Sequence, residues 1–214
     1  GKYPVVEGSI RYHFYEQWHQ RHPGDRHVYF THLIAFVNFN AAGVLNRHPD
    51  MYYQQRFHAT ETQGTISVKD FLAEHCRSLP VYAGRDAAIA SEITMLAEKL
   101  GVAYLLERSV NKLSNGESKK LMIVQALLQK PELLLLDYPF TGLDEAARKL
   151  LQELLERIAA QGMMIIIATM PDEIPSSVTH VAQVEALRLK QLFTRDEFMA
   201  RADKGSFFTG SEPL

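Results

Sequence analysis

Asp137 closes the run "ELLLLD" (132–137), and Tyr138 follows it directly. A carboxylate at the end of so apolar a run can hold a hydrated Mg²⁺ beside a nucleotide phosphate. It can equally cap a turn, and the residue alone supports both readings. Upstream, "KLSNGESKK" sets Ser114 three residues before Glu117, the S-x-x-E pattern of a helix start. There a hydroxyl and a carboxylate each satisfy one orphan backbone amide. The amides near Asn115 and Gly116 then form a mouth suited to a phosphate, although an ordinary capped helix is the commoner meaning of such a box. Asp144 stands before "EAARKLLQELLERIAAQG" as an N-cap. Met170 follows "IAT" at the end of the apolar run 163–169.

The elements that must position these residues alternate. A helix over 117–131 is stopped by Pro131, a buried strand covers 132–137, and a helix starts after Asp144 with Leu150, Leu151, Leu154, Leu155 and Ile158 as its core stripe. A second fully buried strand covers 163–169, and "THVAQVEALRLKQLF" reads as a closing hairpin. Helix, strand, helix and strand with continuous apolar strands predict an α/β fold, a mostly parallel sheet with both faces covered. Earlier in the chain, 3–14 alternates like a strand or hairpin arm, 32–39 reads as another strand, and 51–57 as a short extended or loop segment. Residues 68–112 are mainly helical, with the stronger helix over 85–101 ending at Gly101.

Bulk properties narrow the classes. The 214 residues are 46% hydrophobic and 22% charged, with a net charge of −2, so no polyanion-binding surface and no nucleic-acid partner is indicated. No apolar stretch approaches the ~20 residues that cross a bilayer. A single cysteine, Cys76, excludes an intramolecular disulfide and fits a reducing cytosol. His13, His19, His22, His27 and His32 crowd the early segments without a zinc-ligand spacing. Tyr12, Phe14, Tyr15 and Trp18 read as packing aromatics rather than a base-stacking surface.

"LSNGE", a helix, "LLLLDYP" and "TGLD" occur in that order, and together they resemble the second half of an ATP-binding cassette (ABC) ATPase. "LSNGE" is similar to the family's signature motif, "LLLLDYP" to its Walker B strand and "TGLD" to its D-loop. The flavour of "YYQQRF" is similar to twin-cassette proteins related to the molybdate-transport type. The resemblance implies a P-loop NTPase-like fold with a helical subdomain inserted before the signature. It divides the chain into 1–67, the first part of the cassette core; 68–112, the helical subdomain; 113–200, the signature, Walker B, D-loop and remaining core; and 201–214, a tail or linker. It also implies Mg-ATP as ligand and a head-to-tail pair of cassettes at the inner face of a membrane, working with a membrane transport subunit. Ser114, Asn115, Gly116 and Glu117 then meet the γ-phosphate held by the partner, Asp137 places Mg²⁺, and Asp144 contacts the opposite cassette.

Three features depart from the family pattern, and a fourth position has two alignments. No G-x-x-x-x-G-K-[ST] loop occurs, and the opening "GKYPVVEGSI" is similar to the segment just after that loop, so truncation upstream is expected. Tyr138 stands where the family places a glutamate that polarises water, and a phenol is a poor base at pH 7. Met170 stands at the switch histidine and offers no strong hydrogen bond. The Q-loop position falls on Gln55 if "YYQQ" is aligned, or on Phe39 if "IAFVNF" is aligned. A cassette that completes a partner's site without hydrolysing ATP is therefore the second expectation.

Overall fold

A computed structural model describes residues 9–23, 28–39 and 66–202 of the chain. It divides into two compact units, Gly1–Met170 and Pro171–Leu214. The expected segment 51–57 lies outside the described residues, as do His27, Gln55 and residues 3–8.

The first unit is built on a parallel sheet of three strands, β1 (Ile34–Asn38), β2 (Leu133–Asp137) and β3 (Met164–Ala168), with β2 in the centre. Register aligns Asn38 with Asp137 and Asp137 with Ala168, so the three carboxyl ends are level. Ala35, Val37, Leu134 and Leu136 are buried, and Ile165 and Ile167 continue the same face in register. This face carries the core, because alternate side chains of a strand point to one side.

The opposite face corrects an expectation. Phe36 is 62% exposed and Ile166 59% exposed, so β3 is not fully buried. The apolar runs suggested coverage on both sides, but helices meet only one face among the described residues. Strand 32–39 is also shorter than expected: Phe30–Leu33 forms a 3-10 turn that leads into β1.

The segment at 9–14 is not a strand. Residues 13 onward form helix α1 (His13–Arg21). Its aromatic rings interact at helical rather than strand spacing. Tyr15 meets His19 edge-on at 4.5 Å between centroids, and Trp18 stacks on His22 at 4.3 Å. Both contacts span four residues, the separation that brings side chains together on one face of a helix.

Residues 68–112 are mainly helical, as expected, with two α-helices and short 3-10 turns. Ser67 caps α2 (Val68–Arg77), its hydroxyl accepting from the Asp70 amide at 3.1 Å. Helix α3 (Asp86–Leu100) ends at Gly101, whose φ of +72° is the left-handed conformation of a helix stop. A side chain there would also strike Arg157, whose Nη1 lies 2.2 Å from the position of a Cβ. That guanidinium instead donates to Leu100 O at 3.0 Å, pinning the end of α3 to a later helix. Helix α2 packs on α3 and on α4 (Asn115–Leu127), and α4 packs on β1. Helix α4 stops at Leu127, before Pro131, and Lys130 at φ +54° turns the chain into β2.

Helix α5 (Glu145–Ala160) buries Leu151, Leu154, Leu155 and Ile158. Leu150, expected in the stripe, is 50% exposed. One residue advances a helix by about 100°, which carries Leu150 off the face centred on Leu151 and Leu155. In the second unit, β4 (His180–Glu185) and β5 (Arg188–Thr194) form the expected antiparallel hairpin, followed by α6 (Arg195–Ala202).

Candidate functional site

The site begins at the N-terminus of α4. Ser114 is its N-cap, with the Glu117 amide donating to Ser114 Oγ at 3.2 Å and the Ser114 amide donating to Glu117 Oε2 at 2.9 Å. The predicted capping box is therefore complete. It engages the amides of Ser114 and Glu117 and leaves those of Asn115 and Gly116 with no acceptor among the described residues. These two donors, at the positive end of a 13-residue helix, are suited to an anion. Gly116 also allows close packing below the mouth: a Cβ there would lie 3.1 Å from Ala147 Cβ on α5.

Glu117 ties this mouth to the chain before it. Arg108 Nη1 bridges to Glu117 Oε1, and the backbone of Arg108 accepts from the Val68 amide at 2.9 Å. The Glu117 carboxyl is held below its ordinary 4.5, chiefly by the hydrogen bond from the Ser114 amide, with burial opposing and Arg108 assisting. A lowered folded value means that the carboxylate's contribution is present at pH above the ordinary value and fades as pH falls through the lowered one. Amide exchange at Ser114, corrected for intrinsic rate, should thus stay slow at pH 6 and quicken only once the pH falls below the ordinary carboxyl value of 4.5. Quickening already at pH 6 would show that the carboxylate does not hold the cap.

Asp137 is half-buried at the carboxyl end of the central strand, flanked in register by Asn38 and Ala168. Open parallel sheets collect ligands at this end. Among the described residues no group of three or more His, Cys, Asp or Glu could hold a metal ion. A single strand-end carboxylate nevertheless fits Mg²⁺, which takes one or two protein carboxylates and fills its shell with water and phosphate oxygens. His19 and His22, by contrast, bond to the carbonyls of Val28 and Trp18.

Tyr138 takes φ +50°, a left-handed conformation uncommon for a large side chain. Its amide donates to Ala168 O at 2.9 Å, which fixes the turn to β3. The ring is 37% exposed. Met170, two residues beyond that carbonyl, is also exposed. Asp144 caps α5, its Oδ1 accepting from the Ala147 amide at 2.7 Å. Phe39 immediately follows β1, next to the residue paired with Asp137.

The mouth and the acid belong to one continuous assembly. Asn115 Nδ2 donates to Gly142 O at 2.9 Å. Lys119, one turn further along α4, donates from Nζ to Pro139 O at 2.8 Å and to Thr141 O at 2.6 Å. The turn that begins after Asp137 is therefore bonded to the helix that begins at Ser114. Sequence reasoning missed Lys119 and Arg108, because charges in "ESKK" and "LLERSV" look like a solvated face. Only the fold shows that Lys119 is 5% exposed.

A parallel sheet with a strand-end acid, bonded through the turn after it to a capped helix mouth, is an open α/β arrangement of the kind found in the P-loop NTPase fold. The chain belongs to the ABC transporter family, whose model matches residues 2–141. An uncharacterised ABC transporter ATP-binding protein of Schizosaccharomyces pombe is 27% identical over 169 residues, covering 78% of this chain and 33% of its own length. The ABC transporter ATP-binding protein ModF of Escherichia coli is 34% identical over 114 residues, covering 53% of this chain and 23% of its own. The fold is similar to that of CbiO1 from Clostridium perfringens, part of the ABC transporter complex CbiONQ. That match has a TM-score of 0.63 and 20% identity, and it covers 81% of this chain and 62% of that one. The chain thus spans about a quarter to a third of the length of these curated relatives. No described helix is long and apolar enough to cross a membrane.

Proposed function

We propose that this chain supplies the signature mouth and the metal-placing acid of an ATP-binding cassette that works as a head-to-tail pair. The observation that carries this reading is the bonded continuity between α4 and the turn after Asp137. In this arrangement the amides of Asn115 and Gly116, with the Ser114 hydroxyl, receive the γ-phosphate of an ATP held by the partner cassette. Glu117 holds that mouth in shape. Asp137 places the Mg²⁺ of Mg-ATP, whose charge neutralises the transferring phosphate. Asp144 and the turn around Gly142 face the opposite cassette, and Gln55 or Phe39 fills the Q-loop position. The pair acts at the cytoplasmic side of a membrane with a membrane transport subunit, which selects the substrate. The partner cassette is a second copy or the other half of a twin-cassette protein.

Two residues favour a second reading, in which the chain completes its partner's site and contributes little hydrolysis of its own. Tyr138 offers a phenol where a base is needed, a poor proton acceptor at neutral pH. Met170 offers only a thioether. The Tyr138→Glu variant of the intact protein tests this choice. ATPase turnover should rise by about 10²-fold or more, the contribution of a positioned general base. A wild type that already turns over ATP briskly, with no gain in the variant, would exclude the degenerate site.

A further inference from the structure

We infer that Lys119 is a positioning residue that makes the turn over residues 138–144 a rigid extension of α4. Its ammonium is buried at 5% exposure. Burying a charge is costly unless the group finds good acceptors, and here it donates to two backbone carbonyls, Pro139 O at 2.8 Å and Thr141 O at 2.6 Å. It also lies 5.2 Å from the centre of the Phe39 ring, so the same group touches the segment leaving β1.

Phe140 and Leu143 anchor the turn's side chains in the core, and the Tyr138 amide ties its start to Ala168 O, but few bonds fix the carbonyls between them. Its internal amide bonds are long, Thr141 N to Tyr138 O at 3.4 Å and Leu143 N to Phe140 O at 3.2 Å. The Lys119 bonds are shorter and charge-assisted, and bonds of that kind are about twice as strong as neutral ones. Asn115 adds a third tie, to Gly142 O at 2.9 Å. The three ties come from one helix and end on three carbonyls within four residues. Tyr138, in its left-handed conformation, sits between them and the bond to β3. A displacement of α4 at its mouth is therefore passed to the backbone next to Asp137.

The functional meaning rests on the cassette reading above: the mouth serves one nucleotide and the acid another, and Lys119 makes both move together. Hydrogen exchange on the intact protein tests the positioning without any nucleotide. Lys119→Met should quicken exchange at the amides of 138–143 by about tenfold or more while leaving the core of α3 unchanged. Lys119→Arg, which keeps a charged donor on a bulkier head, should restore part of the lost protection. In the Mg-ATPase assay, Lys119→Met should lower kcat by about tenfold with KM within about twofold. Wild-type exchange in Lys119→Met, acceleration spread evenly over α3, failure of Lys119→Arg to restore protection, or an unchanged kcat would each overturn the inference. Mg-ATP titration of the wild type separately decides the cassette reading, and its failure leaves the exchange result to decide the role of Lys119.

Discussion

Phe140→Ala is expected to lower the stability of the first unit by about 3–5 kcal/mol, the usual cost of deleting a fully buried ring. Phe140 is 0% exposed and belongs to the core that also holds Leu134, Leu136, Leu121 and Leu151. It is the largest buried side chain in the turn between Asp137 and Asp144, with Pro139 and Leu143 buried beside it in the sequence. Domains are stable by about 5–15 kcal/mol, so this loss takes a large share. Urea denaturation should show a lower midpoint with an unchanged slope, because the surface exposed on unfolding is nearly the same. A cost under about 1 kcal/mol would mean that the turn is not anchored in the core.

The second large effect is functional. Ser114→Asp should preserve the helix, because aspartate is as good an N-cap as serine. It should nevertheless set a carboxylate at the mouth where a γ-phosphate is expected. Two like charges about 4 Å apart repel by about 4 kcal/mol at an effective dielectric of 20. Mg-ATP-dependent pairing of cassettes should therefore weaken by more than about 100-fold, while thermal unfolding shifts by no more than a few degrees. The pair of readouts separates loss of the site from loss of the fold.

Much of this arrangement was legible in the residues. The Ser114–Glu117 box predicts both hydrogen bonds that the structure contains, and Asp144 predicts the cap of α5, because caps depend on neighbours in sequence. The strands ending at Asp137 and Ala168 were readable for the same reason: short apolar runs bounded by Pro131 and Gly162 leave few alternatives. What failed depends on distant partners. The alternation read over 3–14 gives no strand in its described part, 9–14, where helix α1 begins at His13 and its ring contacts follow at helical spacing. The apolar outer face of β3 gave no sign that nothing described covers Ile166. Lys119 is unreadable in principle, since a lysine is taken as exposed until the fold brings two carbonyls to it.

The family also bears on what Tyr138 costs. A large residue in the left-handed region stores strain of about 1–3 kcal/mol and persists only where its surroundings impose it. The bond to Ala168 O on one side and the Lys119 ties on the other supply that imposition. Strain at this place is a reason to look there for function.

The central claim is that the helix mouth at Ser114–Glu117 receives a nucleotide phosphate held by another cassette. Sedimentation velocity of the intact protein, with and without Mg-ATP, comparing wild type with Ser114→Asp, tests it most directly. The account predicts a nucleotide-dependent shift to the paired form in the wild type and no such shift in the variant, with both proteins equally folded. An identical shift in the two proteins would contradict it.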